Sequence, residues 1–243
     1  MKATATTYWK LTRAPRYSLT FALPLLLAYE ALAVLLSGDG LTGVRNGADV
    51  LLKSLFVTFG GRGGLITFGV VLVGAGAVLV WRDIRKSGWP KGKVLLGMTG
   101  ESVVYALAFG SVAAVLTGLL LSGIPGLSLV QFSRFDLPTQ LMISLGAGLY
   151  EELLFRVILV SGLAVFGRVV LGWSSRGASV FAVLVGALVF SWFHYIGPYG
   201  DPFALGSFTF RAIAGVLFSG LYLLRGFGVT AWTHALYDVF LAL

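Results

Sequence analysis

Six charged or titratable side chains stand in otherwise apolar stretches of the C-terminal half of this 243-residue chain: Glu151, Glu152, Arg156, His194, His234 and Asp238. The densest group is the run LYEELLFR, which carries the first three. On insertion scales each such charge costs about 2.5–3.5 kcal/mol at a bilayer centre, so it is kept for pairing, for chemistry, or for both. On an α-helix Glu152 and Arg156 are i,i+4 with the acid first, the favoured order for an ion pair. Glu151 then points about 100° away. The simplest assignment pairs Glu152 with Arg156 and leaves Glu151 facing a cavity. Burial disfavours the ionised form of a carboxylate, which suits a group that must give and take protons. Taken alone, the run fits equally well a structural ion pair beside a spare neutral glutamate.

Both histidines of the chain lie in apolar spans, and His234 is i,i+4 from Asp238. A single histidine in a membrane helix is commonly a hydrogen-bonded packing residue; intramembrane placement of both is harder to explain by packing. Asp238 at that spacing can orient the His234 ring and fix its tautomer. Glu151, His194 and His234 also make a sufficient ligand set for a catalytic divalent metal such as zinc with one open position. The HExxH helix of soluble zinc proteases is absent.

Three ordered motifs carry a resemblance. EExxxR spans Glu151 to Arg156, FxxxH spans Phe190 to His194, and HxxxD spans His234 to Asp238. Together they resemble the CPBP intramembrane protease family, also called the Abi or type II CAAX prenyl protease family, over about residues 137–243. The resemblance implies an intramembrane endopeptidase acting on a membrane-anchored or lipid-modified protein, near a C-terminal tail. It implies that Glu151 and His194 activate water and that His234 and Asp238 hold the oxyanion. The family is described both as metalloprotease and as glutamic protease, so the resemblance leaves the metal open. The commoner family residue at position 238 is Asn. An ionised Asp cannot donate to an oxyanion, so Asp238 favours a cation or a His-orienting role.

The elements that position these residues are apolar helices. The chain is 57% hydrophobic and only 12% charged, against about 25% charged in soluble domains, with mean hydropathy +0.90. There is no cysteine, which removes disulfides, thiolate metal sites and thiol nucleophiles. The fold class expected is all-α, a polytopic transmembrane helix bundle forming one membrane domain over residues 1–243. About seven spans are expected, at residues 17–37, 65–81, 97–121, 139–165, 178–195, 203–224 and 229–241. The helical spacing of 49–57, beside Arg45 and Lys53, predicts an additional interfacial helix. Ala31-Leu32-Ala33 has the look of a signal-peptide cleavage site, but the apolar run continues past it and Glu30 interrupts it.

The net charge of +8 sits at the ends of apolar segments, which points to topology and lipid headgroups and excludes nucleic acid as the partner. The N-terminus, the 82–93 loop, the 167–177 loop and Arg225 alternate on one side. The positive-inside rule places them, and the N-terminus, in the cytoplasm, with a bacterial or archaeal inner membrane as the expected location. Glu30 and Glu101 have no role assignable from sequence. Asp201 and Arg211 read as rim residues, Tyr150 and Tyr237 as packing residues, Trp192 and Trp232 as core or interface.

One expectation conflicts with the others. His194 falls near the outer end of its span and His234 near the inner start of its own, a depth difference of roughly 10–15 Å on untilted helices. If the histidines do not meet, two alternatives remain: a proton- or ion-coupled transport or binding protein using the same Glu/His cluster, or a non-catalytic, immunity-type member of the fold.

Overall fold

The computed structural model describes residues 8–37, 44–123, 135–197 and 200–243, and all regular structure among them is helical. The elements run α1 (Pro15–Ser37), α2 (Gly47–Ser87), α3 (Gly92–Leu120), α4 (Leu137–Gly146), a π-helical segment (Ala147–Val160), α5 (Ser161–Val169), α6 (Ser175–Phe193), α7 (Leu205–Arg225) and α8 (Phe227–Ala242). Five stretches are long and apolar enough to cross a membrane: 15–36, 63–87, 92–120, 175–193 and 205–225. They coincide with five of the expected spans. The other two expected spans are the contiguous helix from α4 through α5 and the 16-residue α8, the helices that carry the opening motif and His234.

Local chemistry sets the helix ends. Asp136 accepts from the Thr139 amide at the start of α4, where Pro138 occupies the first turn, and Ser174 accepts from the Gly177 amide at the start of α6. These are the orphan donors that a cap must satisfy. The helix expected at 49–57 is the first arm of α2, which breaks at Gly61 with φ 54° and ψ −143°, a conformation open to glycine. This arm buries Ala48 and Leu52 against Tyr29, Phe68 and Tyr150. It is therefore a wall of the bundle interior along one face.

The α8 helix enters the bundle interior. Gly228, Val229, Thr230, Ala231, Thr233, His234 and Ala235 are all buried. Small side chains let neighbouring backbones close in on every side. Leu25 of α1 packs on Ala231 and Ala235; Met98 of α3 and Leu221 of α7 share a cluster with Val229. The Gly228 amide donates to Ser18 Oγ at 2.7 Å.

At this end the basic segments meet. Arg16 contacts Asp83 at 3.4 Å, the Lys91 amide donates to Tyr17 Oη at 3.1 Å, and Arg225 pairs with Glu101. Tyr8 also donates to Glu101 at 3.0 Å, and Tyr8 and Trp9 flank the Arg225 guanidinium at 5.1 and 5.0 Å. Glu101 thus balances a buried arginine at one end of the bundle.

Two helices approach closely at Gly148, where a Cβ would fall 2.3 Å from the Ala231 carbonyl oxygen and 2.6 Å from Ala235 Cβ. Gly148→Ala is therefore expected to destabilise the fold by about 1–3 kcal/mol through overpacking. Gly162→Ala, where nothing lies within 4 Å, should be neutral or slightly stabilising by helix propensity. Thermal unfolding of both variants in detergent checks the pair.

Candidate active site

The π-helical segment carries Glu151, Glu152 and Arg156. Its i→i+5 bonds widen the helix, and such stretches recur at functional sites. Sequence spacing predicted an α-helix here. The expected ion pair survives the change: Glu152 Oε2 lies 3.2 Å from Arg156 Nε, with both side chains 1% exposed or less. The Arg156 guanidinium also lies 4.3 Å from the Phe190 ring centroid and 5.6 Å from that of Phe218. Aromatic faces attract a cation there while keeping water away.

Glu152 has a second partner that periodicity does not reveal. Its Oε1 stands 2.6 Å from His234 Nδ1. His234 Nε2 is 3.5 Å from Asp238, farther than a good hydrogen bond. The ring of His234 is therefore held chiefly by Glu152, across two helices, with Asp238 beside its other nitrogen. Phe218 stacks on the ring with centroids 4.4 Å apart.

Glu151 faces elsewhere. Asn46 Nδ2 donates to its Oε1 at 2.8 Å. Its Oε2 is buried without a hydrogen-bond partner and stands 4.0 Å from His194 Nε2. His194 caps the end of α6, and its Nδ1 lies 2.9 Å from the Phe190 carbonyl. A carbonyl only accepts, so Nδ1 carries the hydrogen, and in the neutral ring Nε2 is a bare acceptor. Two acceptors thus face each other across a gap too wide for direct bonding and suited to one water donating to both. The His194 side chain is 25% exposed, which gives this gap a route to the outside.

The two histidines share one neighbour. Phe190 lies 4.9 Å from the His194 ring and 6.1 Å from the His234 ring, centroid to centroid. The expected depth mismatch is closed because the first half of α8 already lies inside the bundle.

The three metal candidates Glu151, His194 and His234 do not converge as ligands. Both His234 nitrogens face carboxylates, Glu152 and Asp238, and among the described residues no group of three His, Asp or Glu side chains is arranged to hold a metal ion.

Behind Glu151 lies a polar cluster from the N-terminal half. Glu30, whose role sequence left open, pairs with Arg45 at 3.2 Å and Lys53 at 3.1 Å and accepts from Tyr150 Oη at 2.7 Å. Asp49 takes Arg45 at 2.8 Å, Lys53 at 2.7 Å and Tyr29 Oη at 2.7 Å. Tyr150 is thus a donor as well as a packing residue. Asp201 and Arg211 pair with each other at 2.5 Å at the rim. Trp232 donates to the Phe21 carbonyl at 2.6 Å; Trp192 is exposed and Tyr237 buried. Sequence reasoning missed Asn46. Its signal was local: an Asn just before a helical pattern is an N-cap candidate.

Breaking a buried ion pair strands a charge, whereas removing both partners does not. Glu152→Ala is expected to destabilise the protein by about 3–5 kcal/mol, and Glu152→Met with Arg156→Met by much less. Equilibrium unfolding in mixed micelles compares the single and double variants.

Residues 133–240 match the family model described as type II CAAX prenyl endopeptidase Rce1-like. The matched span contains all three motifs and begins just ahead of α4. Comparisons with curated proteins and with solved structures returned no match. Over residues 133–240, then, the chain is similar to the type II CAAX prenyl endopeptidase Rce1-like family.

Proposed function

We propose that this protein is an intramembrane endopeptidase that uses Glu151 as its general base. The observation that supports this most directly is the gap between Glu151 Oε2 and His194 Nε2, two acceptors 4.0 Å apart, one of them a buried oxygen with no partner. A water donating to both is polarised toward hydroxide. It attacks the scissile carbonyl while Glu151 takes its proton, and Glu151 then passes that proton to the departing amine. His234 supplies the electrophilic side. As an imidazolium, with Nδ1–H held by Glu152, its Nε2–H can donate to the oxyanion that forms on the carbonyl. Asp238 sits beside that nitrogen and restrains it. Glu152 and Arg156 hold the constellation together and take no part in the chemistry.

The substrate class that fits is a membrane-anchored protein cut near a C-terminal tail, with a prenylated tail as the family's own example. Positioned general acid–base groups contribute typically 10²- to 10⁴-fold to rate. Glu151→Ala and His194→Ala, reconstituted in liposomes, should therefore lose about 10²- to 10⁴-fold of the wild-type cleavage of a quenched farnesylated tail peptide while unfolding at wild-type temperature. Full activity in Glu151→Ala ends this reading.

The whole chain forms one membrane domain in this reading, with the N-terminus in the cytoplasm. The contacts of Arg16, Lys91 and Arg225 gather the basic segments at one end, and the positive-inside rule assigns that end to the cytoplasm. His194 lies at the opposite end of α6 from its start at Ser175, so the site opens on the other face. The chain has no cysteine, which makes single substitutions clean reporters. In intact cells an impermeant maleimide should label Ile196→Cys and spare Trp89→Cys, both exposed positions. Inverted vesicles should reverse the pattern.

A further inference from the structure

We infer that Asn46, in the half of the chain that the family match does not reach, is a positioning residue for Glu151. The inference rests on the reading of Glu151 as general base. Asn46 is 3% exposed, and each of its polar groups has a defined partner. Its Oδ1 accepts from the Ala48 amide at 2.9 Å, as the cap of α2. Its own amide donates to Tyr29 Oη at 3.3 Å. With Oδ1 committed to the cap, the amide group cannot flip, so Nδ2 is forced to present its hydrogens. One of them goes to Glu151 Oε1 at 2.8 Å.

This bond decides which oxygen of Glu151 works. A carboxylate on a flexible stem can rotate and exchange its two oxygens. Pinning Oε1 leaves Oε2 as the oxygen that faces His194. The close approach is built into the motif helix itself: at Gly146, a Cβ would fall 2.8 Å from Asn46 Cβ and 2.5 Å from the Tyr29 ring. A larger residue there would push Asn46 away from the carboxylate. The mount behind Asn46 is firm, because Tyr29 donates to Asp49 and Asp49 is held by both Arg45 and Lys53.

The competing explanation is that Asn46 only caps a helix. Serine and aspartate cap about as well as asparagine, but neither offers an amide donor to Glu151. Aspartate also sets a second carboxylate against the first. The test compares wild type with Asn46→Ser, Asn46→Asp and Asn46→Ala, full-length in liposomes, on the farnesylated tail peptide.

A lost hydrogen bond to a charged group corresponds to about a 10- to 100-fold change. Asn46→Ser should lose that much in kcat with KM unchanged, and Asn46→Asp should lose more. A capping role alone would spare Ser and Asp and affect only Ala, through stability. That pattern, or a wild-type kcat in Asn46→Ser, overturns the inference.

If wild type and Glu151→Ala do not differ on this peptide, the functional reading fails, and infrared spectroscopy decides the positioning bond. Asn46→Ser should then shift a carboxyl band that is missing from Glu151→Gln. No shift overturns the inference independently of any substrate.

Discussion

Glu152 is the residue on which the interior of this protein depends. One buried carboxylate holds two groups, Arg156 through one oxygen and His234 through the other. Ions taken out of water carry a desolvation penalty of several kcal/mol each, returned only when geometry is good on both sides. Here the pairing fastens the π-helical segment to α8, and it does so at the level where His194 also arrives. The neighbouring Glu151 is left with its charge less fully answered, held by one amide and facing one neutral ring nitrogen. Adjacent residues of the same type thus have different environments, one between Arg156 and His234 and the other between Asn46 and His194.

The local features of this arrangement were legible in the sequence. Long apolar runs located five of the membrane-length stretches to within about six residues, because the requirement to satisfy backbone groups in lipid leaves few alternatives. The i,i+4 spacing of Glu152 and Arg156 located their ion pair. What escaped was either a change of helix type or a contact between distant segments. The π-helical turn of 147–160 leaves no periodic trace distinct from an α-helix over so short a run. The Glu152–His234 and Asn46–Glu151 bonds join residues 82 and 105 positions apart, which hydrophobic periodicity cannot reach. The depth conflict between the two histidines came from treating α8 as a span that begins at the membrane edge. Its small residues draw its first half into the centre instead.

The N-terminal half showed nothing diagnostic in sequence, yet it closes the site. The α1 helix supplies Tyr29 and Glu30, the first arm of α2 supplies Asn46, Asp49 and Lys53, and Arg45 lies just ahead of that arm. These residues neutralise one another in a compact cluster behind Tyr150 and Glu151. Arg45 and Lys53 are the basic members of this cluster. Paired internally with Glu30 and Asp49, they do not count as free positive charge.

Phe190 has a consequence of a different kind. Its ring lies under the Arg156 guanidinium and within reach of both histidines, so a single apolar wall separates a permanent cation from the two imidazoles. Hydrocarbon polarises far less than water, and an electric field crosses it with little attenuation. Phe190 is therefore a wall shared by the Arg156 guanidinium and both imidazoles. An aromatic at the first position of FxxxH sets the dielectric of the site as well as its shape.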